Sequence, residues 1–280
     1  MKILHSADWH LDSPLTGKSE EQSKFLRAEL LKVPDRVAAL CKSENCDLLL
    51  LAGDLFDGKC SKESLNAVMK MLEEIRIPVF ISPGNHDFCQ PDSPYVTECW
   101  PENVHIFTKP EVESVAIPLL DCRIYGAGYR SMDCDGLLDG FQAQGTEQFQ
   151  IAVLHGDPTQ ANSPYCPITA NQVRKSGLHY LALGHIHSYK CEKLDLDGRY
   201  CYCGCLEGRG FDECGEKGFV WLEIDDTGVK HTFVPFASRT VHELFVDISE
   251  AETTPAVEKK MREALADIPE KDLVRVSLTG

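Results

Sequence analysis

The stretch "IPVFISPGNHD", residues 77–87, places an apolar, β-branched run directly before Gly, Asn, His and Asp. A turn after a buried strand needs only Gly84 and Asn85, because these residue types adopt turn conformations at little cost. Such a turn does not need His86 or Asp87. The stretch therefore indicates a strand whose end carries chemistry, and its meaning depends on how the other strands end.

Four other apolar runs end in the same kinds of residue, in "SADWH", "AGD", "VLHGD" and "LGHIH". They add these candidate side chains: Asp8, His10, Asp54, His155, His185 and His187. Each motif alone is weak, because Gly-Asp is often a turn and a single histidine is often a buried core residue. Together they predict one shared site, since the carboxyl ends of parallel strands open on a common crevice.

The first half of the chain alternates predicted strands and helices. Strands over "KILHSA", "CDLLLLAGD" and "IPVFI" enclose a helical pattern in residues 23–44, broken or kinked near Pro34, and a helix that begins near Ser61. This alternation predicts an α/β fold with a parallel sheet.

The second half of the chain is richer in strands. "VESVAIPLL" and "CRIYGAGY" predict a strand pair, "FQIAVLHGD" and "LHYLALGHIH" predict two apolar strands, and "TANQVRKSG" predicts a short helix between them. "RYCYCGC", "GFVWLEID" and "VKHTFVPF" are predicted to pair in an antiparallel manner. The whole pattern predicts two packed sheets flanked by helices.

A new strand–helix–strand pattern starts near residue 240, in "VHELFVDIS", "PAVEKKMREALADI" and "DLVRVSLTG". About forty residues are few for an independent hydrophobic core. We therefore interpret residues 1–238 as one large domain and residues 239–280 as the βαβ start of a second domain that is cut short.

Seven of these side chains are candidate metal ligands: Asp8, His10, Asp54, Asn85, His155, His185 and His187. They combine four imidazoles, two carboxylates and one amide oxygen, without a thiolate. Imidazole suits zinc, iron, nickel or copper, and carboxylate and carbonyl oxygens suit manganese. Seven ligands are too many for one tetrahedral ion, so they predict two ions that share a carboxylate. Such pairs of ions lie about 3.5–4 Å apart and stabilise the attacking and the leaving oxygen of an in-line phosphoryl displacement. We interpret the remaining histidines as ordinary structural residues: His5, His105, His179, His231 and His242.

Composition limits the possible classes of protein. The chain has 280 residues with 43% hydrophobic content, which predicts a globular fold. The net charge of -16 argues against a nonspecific nucleic-acid binder, but not against a nuclease, because bound metal ions add local positive charge. No apolar run approaches the roughly 20 residues of a membrane span, and the start does not resemble a signal peptide. We therefore expect a cytoplasmic location without membrane association.

Thirteen cysteines, in a chain without a signal sequence, predict reduced thiols. The cluster "YCYCGC" does not have the C-x₂-C spacing of a zinc knuckle, and alternate positions of a strand share one face. We interpret Cys201, Cys203 and Cys205 as small buried hydrophobic residues. A redox sensor is the alternative, but the cluster has no basic neighbour before Arg209 that would lower a thiol pKa.

The ordered set D-x-H, G-D, G-N-H-D, H and G-H-x-H resembles the calcineurin-like metallophosphoesterase superfamily over residues 1 to about 235. Within it, "SADWHLDSPL", "LLLLAGDLFDG" and "GCLEGRGFDECGEKGFVWLEID" are similar to the bacterial SbcD-like and YhaO-like DNA repair exonucleases. The resemblance implies a four-layer αββα sandwich followed by a cap domain. Many members carry Gly where Asp12 stands here, and the cap pattern stops after its second strand.

The resemblance also implies a role for each site residue. Asp8, His10 and His187 should hold the first metal, Asn85, His155 and His185 the second, and Asp54 should bridge them. The ions should activate a water molecule for in-line attack on phosphorus. His86 should stabilise the transition state or protonate the leaving oxygen, with Asp87 as an orienting partner. Two divalent ions are implied, with Mn²⁺ expected and Fe²⁺, Zn²⁺ or Mg²⁺ as alternatives.

The implied function is a phosphodiesterase that hydrolyses DNA, with exonuclease and endonuclease action both open. The implied partners are an SbcC-like coiled-coil ABC ATPase and a second copy of the chain. A small-molecule phosphodiesterase, for example one acting on cyclic nucleotides, is the alternative within the superfamily, and the acidic composition favours it slightly. A non-catalytic scaffold is a weaker alternative, because a structural metal site needs no open position and no additional histidine.

Overall fold

The computed structural model describes residues 1–158, 160, 162–193, 199–225 and 228–280. Within these residues, a first sheet has six strands. In spatial order they are β12 (Gly228–Pro235), β11 (Gly218–Asp225), β1 (Lys2–Ser6), β2 (Leu48–Leu51), β3 (Val79–Ile81) and β4 (Val104–Ile106). β1 to β4 run parallel, and β11 and β12 extend the sheet beside β1 in antiparallel pairing.

A second sheet in the same described ranges also has six strands. In spatial order they are β5 (Glu113–Ile117), β6 (Cys122–Gly126), β7 (Phe149–His155), β8 (Tyr180–Gly184), β10 (Arg199–Tyr202) and β9 (Lys190–Lys193). β6, β7, β8 and β10 run parallel, and β5 and β9 are antiparallel edge strands. Both sheets are therefore mixed.

The helices follow the predicted pattern. They are α1 (Glu20–Leu30), α2 (Val33–Ser43), α3 (Lys62–Ile75), α4 (Pro94–Thr97), α5 (Ala170–Lys175) and α6 (Thr254–Leu265). The predicted break near Pro34 is confirmed, because α1 ends at Leu30 and Pro34 lies in the first turn of α2, where a missing N–H costs little. The predicted start of α3 is also confirmed, since the Ser61 side chain accepts a hydrogen bond from the Ser64 amide at 3.1 Å.

The position of β2 in the fold explains why its four leucines do not alternate with polar residues. Leu48 and Leu50 belong to the core between the two sheets, whereas Leu49 and Leu51 pack on the other face with residues of α2 and α3. A strand that is buried on both faces reads as a continuous apolar run. The outer face of the second sheet is covered in turn by a cluster that includes Val173 of α5. The predicted α/β fold with two mixed sheets flanked by helices is confirmed.

One predicted strand pairing is wrong. β10 does not pair with β11; it lies in the second sheet between β8 and β9. There Cys201 faces the core between the sheets, and Tyr200 and Tyr202 pack in the outer core, so both faces of the strand are buried. The strand ends at Tyr202, but Cys203 and Cys205 are also buried, as expected. All thirteen cysteines are free thiols.

The unit after residue 240 has the predicted βαβ order. β13 (Val241–Asp247) and β14 (Leu273–Thr279) pair in parallel, and α6 joins them. Val241 is buried and forms a bridge to Gly215, while the Arg239 guanidinium lies over the Phe25 ring at 4.5 Å. The domain boundary after residue 238 stays a prediction.

Among the described residues, no helix has the length and apolar character that a membrane crossing requires.

Candidate metal centre

Five strand ends from the two sheets meet at one site. β1, β2 and β3 deliver their ends from the first sheet, and β7 and β8 deliver theirs from the second. The backbone turns sharply there, with positive φ angles at Asp8 (52°), His10 (47°), Asp54 (52°) and His185 (105°). Residues other than glycine rarely adopt positive φ angles, and such backbone strain is concentrated at functional sites.

Asp12, where the resemblance predicts Gly, has the same conformation, with a φ angle of 68°. Asp tolerates the left-handed region better than most residues do. Its carboxylate also accepts a hydrogen bond from the Ser61 amide at 2.8 Å, at the start of α3. The departure from Gly therefore keeps the turn and adds a contact to it.

The first group of candidate ligands contains Asp8, His10 and His187. One donor atom from each lies within 4.8 Å of the others. The Nε2 atoms of His10 and His187 are 3.1 Å apart. Both Asp8 carboxylate oxygens also accept from the His185 amide, at 3.0 and 3.2 Å, which fixes the carboxylate in place.

The second group contains Asn85, His155 and His185. The Asn85 Oδ1 atom lies 2.9 Å from His155 Nε2 and 3.3 Å from His185 Nδ1. Asp54 lies between the two groups, with its Oδ2 atom 3.3 Å from His155 Nε2 and 3.8 Å from His10 Nε2. The structure thus brings all seven predicted ligands together, with Asp54 close to a histidine of each group.

The donor set fits divalent cations. His155 Nδ1 faces the carbonyl oxygen of Ala52 at 2.9 Å, so this nitrogen carries a proton and Nε2 is the nitrogen that can offer a lone pair to a cation. His187 has the same arrangement, because its Nδ1 atom lies 2.6 Å from Glu213 Oε1. The Nε2 atoms of His10 and His187 face each other at 3.1 Å, and two imidazole lone pairs at this distance repel unless a proton or a cation lies between them. The residues therefore form a candidate dimetal site.

The ionisable side chains of the site shift one another's pKa values. Burial acts to raise the pKa of Asp54, but the charge of His155 lowers this pKa well below its usual range. Burial lowers and Asp54 raises the pKa of His155, to about 9 overall. Burial and the His155 charge lower the pKa of His185 to about 4. A proton on His155 thus compensates the buried carboxylate when no cation does.

His86 lies at the mouth of the site with 42% of its side chain exposed. Its Nδ1 atom lies 2.9 Å from Asp57 Oδ1, and its ring centroid is 4.9 Å from that of His10. The hydrogen bond to Asp57 raises the pKa of His86. Sequence reasoning missed Asp57, although "GDLFD" placed it three residues after Asp54.

The structure does not place Asp87 as the orienting partner of His86; Asp57 has that position. The Asp87 carboxylate is buried and accepts from the amides of residues 54, 55, 56 and 84 and from the Tyr95 hydroxyl. Burial and the nearby Asp54 charge raise its pKa to about 6. Asp87 therefore holds the β2 and β3 turns together and does not touch the His86 ring.

Sequence reasoning also missed Glu213 and Arg209, which lie behind His187. Burial acts to raise the pKa of Glu213, but hydrogen bonds from His187 and Arg209 lower it well below its usual range. The only signal was their position in the quoted segment "GCLEGRGFDECGEKGFVWLEID", which lacks a candidate ligand. Away from the site, His5 is buried and contacts the Tyr180 hydroxyl at 3.0 Å, in agreement with a structural role.

The chain is similar to known metallophosphoesterases. The model of the family described as calcineurin-like phosphoesterase matches residues 1–189. The chain is 29% identical over 299 residues to the uncharacterized metallophosphoesterase YhaO of Bacillus subtilis, covering 100% of this chain and 72% of that protein. The crystal structure of a dimetal phosphatase from Danio rerio aligns with a TM-score of 0.51 at 12% identity, over 84% of this chain and 99% of the other. That likeness is one of fold alone.

Proposed function

The chain belongs to the calcineurin-like phosphoesterase family, and we propose that it is a metal-dependent phosphodiesterase whose substrate is DNA. The observation that carries the proposal is the convergence of seven nitrogen and oxygen donors beside one half-exposed histidine, His86. A purely structural metal site does not need a titratable group at its mouth.

Each side chain has a defined task in the proposed mechanism. Asp8, His10 and His187 would hold one cation, Asn85, His155 and His185 would hold the other, and Asp54 is near enough to both groups to serve either. When bound, two divalent cations supply positive charge opposite the phosphoryl oxygens and acidify a water molecule. The burial of Asp8 and Asp54 keeps bulk water from competing for these carboxylates.

His86 supplies the proton for the leaving oxygen. Asp57 accepts the Nδ1 proton of His86, so the opposite nitrogen, Nε2, is the one that serves the substrate. Because Asp57 also raises the pKa of His86, more of the ring carries both protons near neutral pH.

A groove beside His86 supports an extended phosphodiester as the substrate. It has a volume of about 640 Å³ and is lined partly by Lys59, Lys62, Gln90 and Thr97. A phosphodiester carries a substituent on both sides of the phosphorus, so its leaving group needs space beyond His86. Two lysines on the wall of the groove suit a neighbouring phosphate of a DNA strand.

A small-molecule phosphodiesterase is the second candidate, favoured by charge. The net charge of the chain is -16, and Asp92 and Glu98 line the same groove. These acids repel a polyanion more strongly than a short ester, which carries a single negative charge.

In the test, the manganese-loaded protein is incubated separately with end-labelled duplex DNA, with single-stranded DNA and with bis-p-nitrophenyl phosphate. We expect cleavage of DNA and of the small ester, and loss of both in Asp54→Asn, which controls for contaminating nucleases. Cleavage of the small ester alone would replace DNA by a small phosphodiester, and cleavage of neither would overturn the proposal.

The groove is tested separately with Lys59→Ala/Lys62→Ala. We expect KM for DNA to rise and its salt dependence to weaken, while the rate on the small ester stays within about twofold. Lys259→Ala on α6, whose side chain is 77% exposed, is the matched control. Equal KM values for the two variants would remove the groove from the DNA path.

A further inference from the structure

We propose that Arg209 is a positioning residue that joins the supports of two site histidines by holding the carboxylates of Glu213 and Asp57. Glu213 supports the candidate ligand His187, and Asp57 supports His86. The inference rests on the proposed function for its effect on turnover, but its effect on metal binding is independent of the substrate.

The contacts on the Glu213 side are short and numerous. Arg209 Nη2 donates to Glu213 Oε1 at 2.6 Å, and Nε lies 3.2 Å from the same oxygen. The Arg209 backbone amide donates to Oε2 at 2.7 Å. Glu213 Oε1 in turn accepts from His187 Nδ1 at 2.6 Å. The carboxylate therefore has one orientation and holds the imidazole, and Arg209 Nη2 also lies 3.1 Å from His187 Nδ1.

The contacts on the Asp57 side are longer. Arg209 Nη1 lies 3.4 Å from Asp57 Oδ2, and the same oxygen is 3.5 Å from His10 Nδ1. The other carboxylate oxygen, Oδ1, holds His86 at 2.9 Å. One guanidinium thus contacts the carboxylates that support His187 and His86.

Charge explains why a guanidinium is needed here. The side chains of Glu213 and Asp57 are 5% and 15% exposed, and that of Arg209 is 15% exposed. Two carboxylates in a region with so little solvent exposure repel each other, and burying a charge without a partner is unfavourable in free energy. The planar fork of an arginine can contact both acids at once, whereas the single ammonium of a lysine cannot do so in fixed geometry.

The segment that carries Arg209 holds His187 in a second way. The Lys217 side chain, which is almost fully buried, donates to the His187 carbonyl oxygen at 2.8 Å. Glu213 therefore fixes the ring of His187 while Lys217 fixes its backbone. A segment without a candidate ligand thus sets the position of the last ligand in the chain.

The test compares Arg209→Met with Arg36→Met. Arg36 forms a similar ion pair with Glu207, two residues before Arg209, but contacts none of the seven candidate ligands. For Arg209→Met we expect kcat to fall roughly 10–100-fold, and the affinity for the more weakly bound of the two manganese ions to fall by a similar factor. Loss of side chains that hydrogen-bond to metal ligands commonly has effects of this size. We expect KM to change less than kcat, and Arg36→Met to leave both metal steps within about twofold.

Manganese binding is measured by calorimetry on metal-stripped protein, and turnover is measured with bis-p-nitrophenyl phosphate. Guanidinium ion should restore part of the loss in Arg209→Ala, and Arg209→Lys should fall between the native protein and Arg209→Met. If Arg209→Met does not fold, Arg209→Lys and Glu213→Gln provide the same comparison, and their double variant should be less impaired than the sum of the single losses.

Native-like metal affinity and kcat in Arg209→Met would overturn the inference, as would an equal loss in Arg36→Met. A weaker manganese step in a protein that cleaves no phosphodiester would support the inference while removing the proposed function. The two failures are therefore distinguishable.

Discussion

At the scale of single residues, the same contact between a histidine Nδ1 atom and a protein oxygen occurs three times at the site. His155, His187 and His86 each direct Nδ1 to a protein oxygen, from Ala52, Glu213 and Asp57 respectively. This contact fixes the ring and decides which nitrogen is left for a cation or a substrate. The residue type His is therefore not enough to define a ligand; its partner completes the definition.

The first prediction concerns His86→Asn. We expect the variant to keep its metals and to lose about 10²–10⁴-fold in kcat, because the proton donor is gone. Metal content is measured by elemental analysis and kcat with bis-p-nitrophenyl phosphate. His242→Asn on β13, whose partner is Asp272, is the control. Loss of metal in His86→Asn would make His86 a ligand, since it also lies within 4.8 Å of donor atoms of His10 and Asp54.

The second prediction concerns Asp57→Asn and pH. Asp57 raises the pKa of His86, and a general acid is active below its pKa. Removing the charge lowers this pKa, so the decline of kcat on the alkaline side should begin at a lower pH, with roughly 10-fold loss at the native optimum. The measurement is a pH–rate profile on the small ester. An unmoved alkaline limb would mean that His86 is not the group that titrates.

At the scale of elements, the sequence predicted what each strand end carries, but not what supports it. Apolar runs followed by His, Asp or Asn are local signals, so the seven candidate ligands were predicted from the sequence. Asp57, Arg209 and Glu213 act across elements, and their pairing depends on how the segment after β10 packs. The misplaced pairing of β10 has the same cause, because apolar alternation does not say which sheet a strand joins.

The closeness of the two sheets depends on glycine at the strand ends. A Cβ atom at Gly184, the last residue of β8, would lie 1.9 Å from the Ala52 carbonyl oxygen just after β2. That carbonyl also holds the His155 ring. The sheets can therefore deliver ligands to one centre only while this position has no side chain.

The third prediction is that Gly184→Ala separates these strand ends. We expect a loss of about 1–3 kcal/mol in the free energy of unfolding and weaker manganese binding, because the backbones must move apart. Gly136→Ala is the control, since its Cβ atom would meet only the Asp139 carboxyl, at 3.3 Å. Chemical denaturation and calorimetry measure the two effects. Native manganese affinity in Gly184→Ala would contradict the argument.

At the scale of the whole molecule, the site joins the two sheets. Its candidate ligands come from β1, β2 and β3 in one sheet and from β7 and β8 in the other. In the described ranges, no lysine or arginine forms an ion pair with the buried carboxylates of Asp8 or Asp54. Buried charges are normally paired or bound to metals. Cation binding should therefore stabilise the contact between the sheets as well as the site.

The fourth prediction is that manganese raises the melting temperature of the metal-stripped protein more than magnesium does. A cation at 100 times its Kd adds about 2.7 kcal/mol, which corresponds to roughly 5–10 °C for a chain of this size. Magnesium should give less, because four of the seven candidate ligands are imidazoles.

The rise in melting temperature that manganese causes should also depend on pH. Without metal, the pKa of His155 is raised to about 9, so below that pH a cation must displace a proton. The manganese shift should therefore grow from pH 6 to pH 8 and vanish in Asp54→Asn. A larger magnesium shift would contradict the proposed imidazole coordination, and a shift independent of pH would exclude His155 as the group that exchanges its proton for a metal.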